Sequence, residues 1–176
     1  MEHTLVNGRY RWTFPSAGSG GSGLFTSYAR LSDVKSSNTQ GGSSAAGTTY
    51  VRVLNTEDWD PDSIVTLSSN QFTLGAGTYY IVFRVPYMQT DRSTAYVYDV
   101  TASTAIQSSV ANGYSIDGSA DDGDSLKSSC RLTITSNNVY EIRHRTGAAR
   151  ADYGLGLAGG VTGINEVCTT VEIYKE

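Results

Sequence analysis

Residues 72–85 read Phe-Thr-Leu-Gly-Ala-Gly-Thr-Tyr-Tyr-Ile-Val-Phe-Arg-Val, and this stretch constrains the fold more than any other. Phe72 and Leu74 alternate with polar neighbours, Gly75-Ala76-Gly77 breaks the run, and Tyr79, Ile81, Phe83 and Val85 then share one face of a second segment. That is the period-two signature of a strand, a tight turn and a strand. The second segment is apolar on its other face as well, at Tyr80 and Val82. A strand with one face in water has no need of that. The pattern predicts a central strand covered on both sides, and one route to such cover is a second sheet on one face and a neighbouring subunit on the other.

Strand-type segments recur around it: at Val51 and Val53, and at residues 63–67, 95–100, 130–135, 140–145 and 167–174. Turn signals separate them, among them Asp60-Pro61-Asp62, Asn112-Gly113, Asp122-Gly123, Asn137-Asn138 and Gly159-Gly160. Tyr is used 12 times and Gly 19 times, while charged residues make up only 17% of the 176, a usage that favours strands and turns over helices. Many short strands without a fixed-period repeat predict an all-β sandwich or jelly roll, large enough to bury a core without staples.

The first 49 residues read differently. Asn7-Gly8 between two β-type runs predicts a small hairpin over residues 4–12, because both turn residues tolerate positive φ. Residues 15–23 and 36–49 have the Gly/Ser-rich composition of flexible tethers. Between them Leu24, Phe25, Tyr28, Leu31 and Val34 stand at near-helical spacing, a pattern that fits a helix or an extended packing arm equally. Residues 1–49 are therefore expected to be a docking arm, and residues 50–176 the body.

Net charge is −4, and no basic cluster is longer than Arg143-His144-Arg145, so nothing invites nucleic acid. No apolar run approaches the length of a membrane span, and the first residues lack the pattern of an export signal; a soluble protein is expected. Cys130 and Cys168 lack zinc spacing and are too few for a disulfide framework; they are expected to be small buried hydrophobes, with a bridge between them as the alternative.

Five segments taken in order, 51–56, 72–79 (Phe-Thr-Leu-Gly-Ala-Gly-Thr-Tyr), 95–100, 140–145 and 169–176 (Thr-Thr-Val-Glu-Ile-Tyr-Lys-Glu), resemble the C1q/TNF-like jelly-roll domain of bacteriophage virion proteins. The likeness covers about residues 50–176. It implies ten strands in two sheets and a homotrimer with aromatic strands meeting at the threefold axis. Tyr79, Tyr80, Ile81, Val82, Phe83, Tyr96, Tyr98 and Tyr174 are then the expected trimer interface and core. Virion proteins of this kind often carry a fibre shaft, where this chain has only the linker-rich arm.

Candidate chemistry is sparse. Asp117, Asp121, Asp122 and Asp124 share one Gly/Ser loop and could offer oxygen ligands to Ca²⁺, but they do not match an EF-hand, and an acidic turn is normally a solvated one; Asp58, Asp60 and Asp62 stand in the same position. His144 shares a strand face with Ile142, opposite Arg143 and Arg145, and no nucleophile motif supports a catalytic role, so it is expected in the sheet or at a subunit contact. Glu141, Glu166 and Glu172 are the carboxylates a glycosidase would have to pair. Tyr87, Tyr114 and Tyr153 lie near turns and are the freer candidates for receptor contact.

The expectation is a non-enzymatic, cofactor-free homotrimer on the outside of a phage particle, assembled in the host cytoplasm. It would be a capsid decoration (cement) protein gripping the major capsid protein or another virion protein through Leu5, Tyr10, Trp12, Leu24, Phe25 and Tyr28. The rival is a receptor-binding head of a tail or head fibre recognising a bacterial surface glycan or protein.

Overall fold

The computed structural model describes residues 23–115 and 123–176, together with the backbone of strands at 2–6 and 9–13. The expected hairpin is there as β1 (Glu2–Val6) and β2 (Arg9–Thr13), antiparallel, with Leu5 opposite Tyr10 and Val6 opposite Arg9. Asn7-Gly8, residues 14–22, which hold all of the first tether but Gly23, and the side chains of Leu5, Tyr10 and Trp12 lie outside the described residues.

In chain order the remaining strands are β3 (Ser27–Lys35), β4 (Thr49–Val51), β5 (Thr56–Trp59), β6 (Val65–Ser68), β7 (Gln71–Leu74), β8 (Gly77–Met88) and β9 (Asp91–Asp99). They continue as β10 (Thr104–Ala105), β11 (Ala111–Ser115), β12 (Gly123–Ile134), β13 (Asn138–Thr146) and β14 (Glu166–Lys175), with one 3₁₀ turn at Gln107–Ser109. They form two antiparallel sheets. The first, seven-stranded, runs β10-β9-β13-β7-β6, with β11 also on β9 and β4 also on β13; the second, five-stranded, runs β12-β8-β14-β3-β5. The all-β, two-sheet expectation holds. The strand number exceeds the expected ten because short pieces such as β4 and β10 extend the edges of β13 and β9.

Alternation places the core. Along β8, Tyr79, Ile81, Phe83 and Val85 are buried and point at Phe72, Val97, Tyr140 and Ile142 of the first sheet. Burying one such side chain contributes about 1.5–3 kcal/mol. The turn at residues 75–77 does not close a hairpin. β7 pairs with β6 and β13 in one sheet, β8 with β12 and β14 in the other, so the chain changes sheets there. Gly77 makes that corner at φ +155°, with Lys175 and the Tyr79 ring 3.2 Å from where a Cβ would stand.

Two expectations are corrected. The body does not begin at residue 50: β3 lies inside the second sheet between β14 and β5, with Ala29, Leu31 and Asp33 turned inward. The near-helical spacing of Leu24, Phe25, Tyr28, Leu31 and Val34 came from counting residues on both faces of β3, and two that precede it, as one stripe. Residues 36–49 are not a free tether either. The Gly41 N–H donates to Gly156 O at 2.8 Å, the Leu155 N–H to Gly42 O at 2.9 Å, and Ser44 bridges to Arg150. A Cβ on Gly41 would stand 2.5 Å from the Leu155 carbonyl, so glycine here serves close backbone packing rather than freedom.

Candidate functional site

The described residues carry two outward sheet faces, and the strand registers sort the expected residues between them. On the second sheet, Arg131, Tyr80, Tyr174 and Tyr28 stand side by side across β12, β8, β14 and β3. Phe25 packs on the row, its ring 5.0 Å from Tyr174 and 6.1 Å from Tyr80, while Tyr28 and Tyr174 lie 4.9 Å apart. The next row holds Ser129, Val82, Glu172, Arg30 and Trp59. The Tyr80 hydroxyl donates to Ser129 Oγ at 2.7 Å and the Tyr174 hydroxyl to Glu172 Oε2 at 2.8 Å. Burial and then the Glu172 carboxylate push the Tyr174 phenol up to about 12, and the same two causes raise Tyr28.

This face is capped by apolar groups at both ends. Trp59 is 59% exposed beside a cavity of about 290 Å³ that Phe25, Tyr28 and Pro61 also line. At the far end Leu157 lies with Arg84 and Pro86 around a cavity of about 520 Å³, and Val167 is exposed.

The expected interface residues therefore divide. Tyr80, Val82 and Tyr174 face outward here, whereas Tyr79, Ile81 and Phe83 are core. Phe25 and Tyr28, expected to anchor the arm, sit on this same face; Leu24 is exposed next to it in sequence.

Tyr96 and Tyr98 do not join them. They point outward from β9 in the first sheet, because β9 and β8 belong to opposite layers. Arg143 of β13 lies over Tyr98, its guanidinium carbon 3.2 Å from the ring centroid. The Arg143 Nε–H donates to Glu141 Oε1 at 2.7 Å, and Gln71 Nε2 donates to the other oxygen of that buried carboxylate at 2.8 Å. Sequence reasoning named all the parts except Gln71 without joining them. The signal was there, in Glu141 and Arg143 two apart on one strand and Tyr96 and Tyr98 two apart on another.

Polar side chains are also buried between the sheets. His144 is fully buried, and neither ring nitrogen has a hydrogen-bond partner. Burial, and behind it the Arg52 guanidinium, hold His144 down to about 3. Arg52 donates through Nε to Thr169 Oγ1 at 3.0 Å and through Nη2 to Leu155 O at 2.7 Å. Cys130 and Cys168 are free and buried, and burial raises both thiols, Cys130 to about 11.

Each candidate glutamate is engaged locally. Glu141 holds Arg143, Glu166 accepts the Asn38 and Gly159 N–H groups at 3.2 and 3.0 Å, and Glu172 holds Tyr174. Asp60 accepts the Ile64 and Val65 N–H groups, and Asp58 pairs with Ser32 and Arg30. Asp117, Asp121 and Asp122 lie outside the described residues; Asp124 accepts the Ser125 N–H at 2.6 Å. Among the described residues no three His, Cys, Asp or Glu side chains stand close enough together to hold a metal. Of the receptor candidates, Tyr114 is 63% exposed and Tyr153 partly so, its hydroxyl bonding Gln89 Oε1 at 3.3 Å. Tyr87 is corrected to buried, because β8 turns it inward against Leu126 and Gly113.

With this geometry in view, solved structures supply the comparison. Murine APRIL superposes with a TM-score of 0.56 at 8% identity, covering 85% of this chain and 98% of that one. Eiger TNF from S. frugiperda gives 0.52 at 12% identity, over 85% of this chain and 91% of that one. The fold is a TNF-like jelly roll. The globular domain of zebrafish complement 1qA lies further off, at a TM-score of 0.48 and 13% identity. No family model matches the chain, and no curated protein matches it in sequence. In this TNF-like frame the second sheet offers an aromatic outer face and the first a mixed aromatic and polar one.

Proposed function

We propose that this TNF-like chain is a non-enzymatic structural protein on the outside of a bacteriophage particle, a homotrimer packed through the outer face of the second sheet and placed on the capsid as a decoration protein. One observation carries the reading. Phe25, Tyr28, Tyr80 and Tyr174 form a continuous, half-buried aromatic surface on the outer face of the second sheet. Aromatic area of this kind is what a subunit contact buries, at about 25 cal/mol per Å². The exposed Trp59, Leu157 and Val167 at its margins extend the contact. The sequence resemblance to phage virion domains supports the location, and the hairpin ahead of a Gly/Ser tether supports an arm reaching to the major capsid protein or another virion protein. Phe25 and Tyr28 belong to the trimer face in this reading, which leaves the anchoring to Leu5, Tyr10 and Trp12. Three tethered arms engage a threefold site together and gain from one another's effective concentration.

The test is mass by light scattering for the protein and for Tyr174→Arg, followed by electron microscopy of particles labelled at the C-terminus. A wild-type trimer, a folded monomeric variant and label at regular lattice positions on the shell are expected. A monomeric wild type overturns the trimer, and label confined to the tail overturns the decoration role.

A second reading, a receptor-binding head of a tail or head fibre, is favoured by the first sheet. Its outer face, with Tyr96, Tyr98 and Arg143, stays in solvent when the second sheet packs against its copies.

A further inference from the structure

We infer that the outer face of the first sheet is a binding site for carboxylate-bearing carbohydrate, with the Arg143 guanidinium as its anion anchor. This names the ligand class of the second reading and rests on that reading; it does not depend on the trimer.

The guanidinium is built as a receptor rather than as a surface charge. Its plane is fixed from below by the Tyr98 ring and from one edge by Glu141, and Glu141 is itself fixed by Gln71. Glu141 is spent on Nε alone. Among the described residues neither Nη group has a hydrogen-bond partner, on a side chain still 29% exposed. A planar fork with two free N–H edges matches a carboxylate bidentately, and the rotamer entropy of ordering it has been lost already on folding.

The surroundings select among anions. Arg143 lies opposite Tyr96 on β9, and Arg145 opposite Thr94, one row on. Arg145 is exposed and has no ion-pair or hydrogen-bond partner among the described residues. The Thr94 hydroxyl donates to Asn112 Oδ1 at 2.8 Å, and the Asn112 amide N–H groups have no partner among the described residues. An open cavity of about 430 Å³ at this end of the face is lined by Arg145, Thr94 and Arg92, with Asp91 as its acidic member. Arg92, Arg143 and Arg145 thus make one face locally basic in a chain of net charge −4. That overall charge works against long polyanions such as nucleic acid. A sparse set of cations beside an aromatic ring and amide and hydroxyl groups suits instead a ligand carrying one carboxylate per unit among many hydroxyls and apolar C–H faces.

The experiment is calorimetric titration of the full chain with galacturonate, guluronate and sialate oligosaccharides, beside their methyl esters, hexaglutamate and a single-stranded oligonucleotide. At least one acidic sugar should bind, its methyl ester at least tenfold more weakly, and hexaglutamate and the oligonucleotide no better than the ester. Arg143→Gln should lose tenfold or more, with Arg143→Lys recovering only part. Arg145→Gln, at an exposed position that leaves the fold alone, should lose a few-fold and flatten the salt dependence. Arg131→Gln on the opposite sheet should change nothing. No acidic sugar bound, equal binding of acid and ester, or indifference to both Arg143→Gln and Arg145→Gln overturns the site. Binding of intact host cells that survives Arg143→Gln would overturn this inference while leaving the receptor reading standing, and a protein that binds no cells at all removes both.

Discussion

Tyr28 and Tyr174 meet with their ring centroids 4.9 Å apart across β3 and β14, so the strand that opens the body and the strand that closes it present one aromatic surface. Because both belong to the body, the proposed reading makes trimer formation and particle attachment separable. Trp12→Ala should leave the light-scattering mass of the trimer unchanged and lower occupancy on purified particles by tenfold or more. Full occupancy would return the anchoring role to the body.

Phe83 and Tyr80 are three apart on β8 and face opposite ways. Phe83→Ala should cost roughly 3–5 kcal/mol of unfolding free energy through the cavity it leaves. Tyr80→Ala should cost well under half of that in the monomer, and weaken association instead. Urea titrations of both, read with their sedimentation profiles, separate core from interface.

His144 makes the fold acid-sensitive. Its folded pKa, about 3, lies below the ordinary 6.5 of the unfolded chain, so the unfolded state takes up a proton in the window between them and the folded state does not. Stability from this group is therefore full above pH 6.5 and falls by about 1.4 kcal/mol per pH unit below it. His144→Phe should remove that slope. Urea midpoints at pH 7 and pH 5 that drop by the same amount in both proteins would assign acid sensitivity to the carboxylates alone.

The cysteines should be silent in the native protein. Burial raises both thiols, so a thiol reagent should label Cys130 and Cys168 at least a hundredfold more slowly at pH 8 than in urea. Fast native labelling of either would place it at the surface.

Gly41→Ala reports on the segment that composition marks as a tether. The added methyl would press on the Leu155 carbonyl, and a loss of about 1–3 kcal/mol in unfolding free energy is expected, against almost none for a true linker.

Much of the architecture was legible because period-two alternation carries its own meaning. In residues 79–85 the burial follows the pattern residue by residue. What misled were segments whose composition serves more than one end. The Ser/Gly run at 36–49 is rich in small residues because backbones approach there, and small residues also make linkers. Leu24, Phe25, Tyr28, Leu31 and Val34 mix an inner core residue with outer-face aromatics, and no periodicity analysis separates two faces that are both apolar. The Arg143, Tyr98, Glu141 and Gln71 cluster needed the register between β7, β9 and β13, a long-range pairing that local sequence does not encode.

The position of β14 has a consequence for the order in which the molecule comes into being. It is the middle strand of its sheet, pairing β8 on one side and β3 on the other, yet in translation it follows all the other described strands. While it is still in the ribosome, β3 and β8 have no neighbour to join them, and Tyr28 and Tyr80 have no Tyr174 between them. The second sheet therefore closes only after synthesis has passed β14, by pairings distant in sequence and correspondingly slow. In the proposed trimer the contact face would be complete only from that moment, so the order of the strands would keep nascent chains on one message from premature association.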